Sequence, residues 1–306
     1  MNQIRVGWLQ VCLAGVLWGT GGLVVTVLND RDGLSALTVS ALRMVVATGA
    51  LLVFCLICGR WKSVVATVRQ HPRLVFTIGA LTSTYQCLYF ASVLMVGVSV
   101  ATVVSLGLAP TAAMAWEHGR ARTLPSPRQS VVLGVALTGL VLMSSSGEAR
   151  DSASDQQLLG ILLAIASGMT YAATTLLGRH LTGKVDPLAL TTGATAAGAL
   201  VLAPFLVAAG LSSQPVLPGS GVSLALLLYL GIATMALAYG LLYAGLRTIS
   251  GSVATIVTLV EPLTAALLAV ALLDEQLPLI GWLGGALILS AVAVLRAHEP
   301  QASTQP

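Results

Sequence analysis

The chain has 306 residues, of which 56% are hydrophobic and only 8% are charged. A soluble domain carries about 25% charged residues, so this chain lacks the polar side chains that a globular surface needs. We therefore expect lipid to cover most of it. The net charge of +4 comes from 15 Lys and Arg scattered over short loops, without the basic stripe typical of a nucleic-acid-binding protein.

Ten apolar segments follow one another along the chain, and each is close to the roughly 20 residues that cross a bilayer core. Lipid offers no partner to a free backbone N–H or C=O, so continuously apolar segments are predicted to be helices. The expected bounds are 6–28, 34–58, 74–95, 98–116, 129–146, 158–179, 187–209, 222–246, 250–273 and 278–296.

Two uncharged stretches are too long for one helix. Residues 97–99 (Gly-Val-Ser) predict a tight turn between helices 3 and 4, and residues 210–221, rich in Gly and Pro, predict the loop between helices 7 and 8. The first apolar run is too long for a signal peptide and no cleavage pattern follows it. We expect it to remain as helix 1.

The cationic residues predict the orientation of the chain. With the N-terminus in the cytoplasm, 12 of the 15 Lys and Arg fall on the cytoplasmic side, Arg31 and Arg150 fall on the other side, and Arg43 lies within helix 2. The positive-inside rule therefore predicts a multi-pass protein of the plasma (inner) membrane with both termini cytoplasmic.

The two halves of the chain resemble each other at a spacing of 153 residues. Residues 99–102 (Ser-Val-Ala-Thr) recur at 252–255, and Gly15 matches Gly168. Because five is odd, the second copy enters the membrane in the opposite sense. The predicted fold is an all-α integral membrane protein of ten transmembrane helices, with inverted five-helix repeats at 1–147 and 156–297 and a short cytoplasmic tail at 298–306. Inverted repeats are typical of transporters.

Several short motifs occur in an order that resembles the EamA-type members of the drug/metabolite transporter superfamily. The resemblance covers nearly the whole chain. Its motifs are Trp18-Gly19 in helix 1, Arg43 in helix 2, Tyr243 near the end of helix 8, Glu261-Pro262 in helix 9, Asp274-Glu275 at its end and Gly281-Trp282-Leu283-Gly284-Gly285 in helix 10.

The resemblance implies a secondary transporter with a central cavity lined mainly by helices 1, 3, 4, 6, 8 and 9. Such proteins carry amino acids and other small metabolites, and export is common among them. We expect a small-molecule exporter that works by alternating access, and multidrug efflux by the same fold is the alternative. An intramembrane enzyme or a membrane scaffold is a remote alternative.

Glu261 is the most informative single position, because it is the only acid in the core of a predicted helix. An ionisable group at that depth is expensive and usually faces the protein interior, so Glu261 is expected to bind and release a proton or to bind a cation. Pro262 removes a backbone donor and should kink the helix and free the Thr258 carbonyl. The first half has Ala109 before Pro110 instead. The alternative role for Glu261 is fixing helix packing.

Arg43 lies about ten residues into helix 2, too deep to reach the surface easily. It could bind a substrate carboxylate or pair with Glu261. The resemblance favours a structural role, because it places helix 2 outside the group that lines the cavity.

Aromatic and amide side chains are predicted to line the cavity. Trp18 and Tyr171 occupy matching positions in helices 1 and 6, far from the interfacial belts where aromatics collect. Tyrosine pairs four residues apart in helices 3 and 8 share one helical face. The predicted substrate-binding set is Trp18, Tyr85, Gln86, Tyr89, Tyr171, Tyr239 and Tyr243. The alternative is ordinary packing between helices.

Other features of the sequence predict no cofactor, no metal site and no enzymatic chemistry. Cys55 and Cys58 form a C-x-x-C, but it lies in an apolar helix without a second pair and favours simple packing. The four His fall in loops or the tail, and no P-loop is present.

Overall fold

The computed structural model describes residues 3–145, 154–212, 214–273 and 277–297. Predictions that concern Arg150, Asp274, Glu275 and the tail 298–306 lie outside these residues. The helices are α1 Gln3–Asp32, α2 Ala36–Ile57, α3 Trp61–Gln70, α4 Pro72–Ala121, α5 Pro127–Ser144, α6 Ser154–Thr182, α7 Pro187–Leu211, α8 Gly221–Tyr229, a π-helical segment Leu230–Leu237, α9 Ala238–Gly245, α10 Gly251–Val257, α11 Val260–Leu273 and α12 Leu279–Ala297.

The predicted all-helical class is confirmed, because the described part of the chain contains no strand. Eight helical spans are long and apolar enough to cross a membrane, with α8 to α9 and α10 to α11 each counted as one span. A shorter apolar helix covers Leu279–Leu295. The protein is therefore a multi-pass membrane protein.

The predicted break at Gly97 is confirmed. Within the fifty residues of α4, Gly97 alone has a non-helical backbone, with φ of 83° and ψ of 163°, a region that glycine adopts without steric cost. The Tyr89 hydroxyl lies 2.8 Å from Thr102 Oγ1. Thirteen residues of straight helix would separate these positions by about 20 Å, so α4 folds back on itself at Gly97.

Helix α3 lies between predicted helices 2 and 3, where the sequence pattern predicts a loop. It is short and amphipathic: Val64 and Thr67 are buried, and Val64 packs with Cys55 and Ala189. Its cationic residues lower the mean hydropathy of this stretch, so the sequence does not predict a membrane-spanning helix there. Helix α3 therefore forms because one face packs on the protein, not because it spans the bilayer.

The ninth predicted helix is broken in two, and Pro262 is the reason. Pro262 has no N–H with which to bond the Thr258 carbonyl, and the helical run is interrupted between α10 and α11. The expected kink is thus present, but the prediction of a free Thr258 carbonyl is wrong, because the Glu261 N–H donates to it over 2.9 Å. Glu261 consequently lies in the first turn of α11.

Glycines allow two close helix contacts that resemble each other in position. A Cβ added at Gly15 would lie 3.3 Å from Thr258 Cα, and one added at Gly168 would overlap the Ser105 carbonyl. The two glycines are 153 residues apart, and so are Ser105 and Thr258. The contact between α1 and the end of α10 thus has a counterpart between α6 and the second arm of α4.

Candidate functional site

Four aromatic side chains from α1, α4, α6 and α9 meet inside the bundle, and we call them the aromatic cluster: Trp18, Tyr85, Tyr171 and Tyr239. The Trp18 ring lies 5.0 Å from the Tyr239 ring and 6.4 Å from the Tyr171 ring, edge-on to the latter. Tyr85 and Tyr171 are 5.3 Å apart. These separations are typical of attractive aromatic pairs. Four residues of the predicted substrate-binding set therefore lie together.

Polar ends of the cluster are hydrogen bonded. The Tyr85 and Tyr239 hydroxyls lie 2.5 Å apart, and the Trp18 indole N–H donates to the Thr234 carbonyl over 2.9 Å. That carbonyl is available because the Ala238 N–H bonds to Ala233, five residues back, in the π-helical segment. π-Helical turns are frequent at functional sites. Neither Thr234 nor the π-helical segment was predicted from the sequence.

Tyr171 connects the cluster to the broken helix. Its hydroxyl lies 3.1 Å from Thr258 Oγ1, three residues before Glu261. The sequence pointed to Thr258 only through its carbonyl, whereas the structure shows its hydroxyl as a partner. Ser167 adds a further contact, since its hydroxyl donates to the Tyr85 carbonyl over 2.9 Å and accepts from Ser105 over 3.0 Å.

The two remaining predicted tyrosines occupy the edge of the cluster. Tyr243 is buried and its ring lies 6.1 Å from that of Tyr239. Tyr89 bonds to Thr102 in the second arm of α4 and packs beside Phe90, so it holds the two arms together. Contact of Tyr89 with substrate stays a prediction.

The rings of the cluster pack against one another, and their burial is uneven. Tyr171 is 5% exposed and Tyr239 is 2% exposed, so these two rings are buried. Trp18 and Tyr85 are partly exposed. The cluster is therefore shielded most completely on the side of the second half of the chain.

Glu261 lies where α1 crosses α11. A Cβ added at Gly19 would lie 2.5 Å from the Glu261 carbonyl oxygen and 2.6 Å from Thr264 Cβ, so the absence of a side chain at Gly19 permits this crossing. Glu261 and Pro262 are partly buried. The Glu261 carboxyl group thus belongs to α11, which α1 crosses at Gly19, the residue after Trp18.

Arg43 donates a hydrogen bond to Gln86 Oε1 over 2.6 Å, and Gln86 is 3% exposed. Within the residues that the structure describes, the only ion pair closer than 4.0 Å joins Arg60 to Asp186. The pairing of Arg43 with Glu261 that the sequence left open is therefore not formed. This bond connects α2 to α4, and contact of Gln86 with substrate stays a prediction.

Two polar contacts join helix ends of the two halves at one end of the bundle. Glu117 accepts hydrogen bonds from the Gly251 N–H over 2.8 Å and from the Ser252 hydroxyl over 2.5 Å. Arg60 pairs with Asp186 at 2.5 Å, and this hydrogen-bonded carboxylate raises the pKa of the Arg60 guanidinium. The sequence did not predict either contact.

The chemistry available at the site is binding chemistry. The cluster offers aromatic faces, hydroxyls and one indole N–H, and Glu261 lies three residues after its partner Thr258. The described residues hold no group of three His, Cys, Asp or Glu that could bind a metal ion. Small-molecule sites typically combine apolar surface with a few polar groups. The fold and the cluster together define a polytopic membrane protein with an aromatic and polar site between its helices.

Comparison with known proteins gives the family. The chain matches the EamA-like transporter family at residues 5–145 and at residues 158–297, and it belongs to that family. It is 30% identical to "Uncharacterized transporter YwfM" of Bacillus subtilis (strain 168), covering 97% of this chain and 95% of the relative. It is 28% identical to "Uncharacterized inner membrane transporter YicL" of Salmonella typhimurium, covering 96% of each.

A solved crystal structure has the same fold. Its TM-score to this protein is 0.77 at 20% sequence identity, over 94% of this chain and 96% of the other. At this identity the likeness concerns the fold alone. The family places the protein among membrane transporters of the drug/metabolite transporter superfamily.

Proposed function

We propose that the chain crosses the membrane ten times, as inverted five-helix repeats at 1–147 and 156–297. The reversal of α4 at Gly97 divides one long helix into two spans, and α12 adds the last. The two separate matches to one family, at 5–145 and 158–297, support the duplication.

Contacts between the halves also support a two-fold relation. Besides the contacts of Gly15 and Gly168 described above, a Cβ at Gly7 would overlap Thr248, and one at Gly160 would lie 2.9 Å from Met95. Gly7 and Gly160 are 153 residues apart, and so are Met95 and Thr248. Exchanging the two halves therefore reproduces both pairs of contacts, as a pseudo-two-fold axis in the membrane plane requires.

In the proposed orientation, the protein lies in the plasma membrane and both of its termini are in the cytoplasm. The bonds of Glu117 and Arg60 join helix ends of the two halves at one end of the bundle, and the connections beside these helix ends carry most of the cations. At the other end, a Cβ at Gly219 would lie 3.3 Å from Asp32 Oδ1, beside Arg31 in the last turn of α1. The positive-inside rule assigns the first end to the cytoplasm.

The proposed function is export of small amphipathic metabolites such as amino acids, by alternating access. The observation that carries it is the composition of the aromatic cluster. Trp18 and Tyr85 come from the first repeat, Tyr171 and Tyr239 come from the second, and the ring contacts cross between repeats. Rocking one repeat against the other would separate these rings and expose a binding site at the midplane.

Substrate recognition follows from the groups that would be uncovered. The rings would cover apolar parts of a substrate, and the hydroxyls of Tyr85 and Tyr239 would exchange their mutual bond for bonds to it. Glu261 would bind a substrate amine or carry the coupling proton, because an acid at membrane depth is costly unless it has such a partner. Arg43, held by Gln86, positions α2 against α4.

The test is transport by purified protein in liposomes. A panel of amino acids, amines and hydrophobic cationic drugs is loaded, and efflux is followed with and without a pH gradient. We expect flux of at least one amino acid or amine. Glu261→Gln, which cannot titrate, should abolish the dependence of that flux on the pH gradient, whereas Asp30→Asn, which removes an exposed acid at the end of α1, should not.

The outcomes separate the candidate functions. Flux of drugs without flux of amino acids would favour multidrug efflux by the same fold. Absence of flux for every compound under every gradient would contradict transport. An unchanged response to the pH gradient in Glu261→Gln would assign that residue to packing.

A further inference from the structure

Helix α3 presents three different surfaces. Val64 and Thr67 face the protein and are buried. Trp61 and Val68, seven residues apart and so on one side of the helix, are 44% and 38% exposed. An exposed tryptophan beside an exposed valine, next to the end of a membrane-spanning helix, is expected where the acyl chains meet the headgroups.

The third surface of α3 is cationic. Lys62 and Arg69 are also seven residues apart and exposed, adjoining the apolar side formed by Trp61 and Val68. Residues 59–73 contain no Asp or Glu. Arg60 pairs with Asp186, whereas neither Lys62 nor Arg69 forms an ion pair with any residue that the structure describes. These two cations therefore stand at the edge of an apolar surface.

A groove lies between these side chains. Its volume is about 430 Å³, and its lining residues are Trp61, Lys62, Val65, Ala66, Arg69 and Gln70. All of these residues belong to α3, so the groove is a shallow depression on one helix and not an enclosed pocket. The groove is open to one side, apolar along its floor, and has one cation near each end. A phosphodiester headgroup with its acyl chains beside Trp61 matches this distribution of charge and apolar surface.

We propose that α3 is an in-plane helix that binds the headgroup of an anionic phospholipid through Lys62 and Arg69. The apolar side carrying Trp61 and Val68 contacts the acyl chains, and the two cations contact the phosphate. Because anionic lipids are abundant in the cytoplasmic leaflet, this site agrees with the proposed orientation. It does not depend on what the protein transports.

The experiment measures thermal unfolding of the whole detergent-solubilised protein during titration with phosphatidylglycerol or phosphatidylcholine. Phosphatidylglycerol should raise the melting temperature at lower concentration than phosphatidylcholine. In Lys62→Gln/Arg69→Gln the half-maximal phosphatidylglycerol concentration should rise about thirtyfold, from the loss of two cations at an anionic surface. The matched control, Arg120→Gln/Arg128→Gln, removes two exposed cations from the last turn of α4 and the first turn of α5 and should behave as the wild type.

Two further measurements keep the test informative if the double variant is unstable. Lys62→Arg/Arg69→Lys preserves both charges and should retain the preference for phosphatidylglycerol. Inorganic phosphate at equal concentration should give no comparable stabilisation. Equal response to the two lipids in the wild type, or an unchanged response in Lys62→Gln/Arg69→Gln, would overturn the proposal. Neither result would bear on flux in liposomes, so failure of the lipid site and failure of transport are distinguishable.

Discussion

The crossing of α1 and α11 offers a sharp test of how the site is built. In Gly19→Ala, the new Cβ would lie 2.5 Å from the Glu261 carbonyl oxygen and 2.6 Å from Thr264 Cβ. Real Cβ atoms essentially never approach other atoms closer than 3.0 Å, so the helices must separate by about half an ångström. Gly22 lies in the same helix, and a Cβ there would meet no atom within 4 Å. Gly22→Ala is therefore a matched control.

The two substitutions should change stability in opposite directions. Replacing a helical glycine by alanine contributes up to about 1 kcal/mol of stability, and Gly22→Ala should show this gain. Overpacking costs about 1–3 kcal/mol, so Gly19→Ala should be destabilised by about 1–2 kcal/mol net. Thermal unfolding in detergent measures the difference. Transport by Gly19→Ala should also fall, because the displaced helices carry Trp18 and Glu261.

Equal melting temperatures for Gly19→Ala and Gly22→Ala would refute this reasoning, since it would mean that α1 and α11 do not approach as closely as described. Loss of stability in Gly22→Ala would also contradict it, because that change would then have a cost that no contact explains.

Two other contacts give predictions of their own. Glu117→Ala should lower the free energy of unfolding by about 2 kcal/mol, as measured by thermal unfolding. Hydrogen bonds to a charged acceptor are among the stronger ones, and the Gly251 N–H would lose its acceptor. A smaller loss of stability in Glu117→Ala than in Glu117→Gln would contradict this. Trp18→Phe keeps an aromatic ring but removes the hydrogen-bond donor to the Thr234 carbonyl. We therefore expect this variant to show a raised KM in liposome flux and a smaller loss of stability than Trp18→Ala. Identical flux in the two Trp18 variants would argue against a role for the ring.

Parts of the site followed from local sequence. The mid-membrane positions of Trp18 and Tyr171, at equal places in the two halves, predicted that both line one cavity, and the structure brings their rings to 6.4 Å from each other. The kink at Pro262 followed from its missing N–H. The sequence did not predict the acceptor for the Trp18 indole N–H. This acceptor is the Thr234 carbonyl, which lies in the π-helical segment, where the Ala238 N–H bonds to Ala233 and not to Thr234.

The sequence also did not predict which distant residues form hydrogen bonds with each other. Arg43 had several candidate partners at membrane depth, and only the packing of α2 on α4 selected Gln86 over Glu261. Glu117 lies near the end of α4, and this position brings it to the N–H groups that begin α10. Both partners depend on how helices pack, which sequence spacing does not specify.

By itself, the sequence determined that this protein is helical and belongs in a membrane, because lipid leaves backbone groups no partner outside a helix and the apolar segments have the required length. It also predicted the break at Gly97, where the absence of a side chain permits the turn. The tertiary structure decided which polar groups pair, that four aromatic rings from the two halves meet, and that α3 is a helix with exposed cations on one side. These depend on contacts between segments far apart in the chain, and local hydropathy carries no information about them.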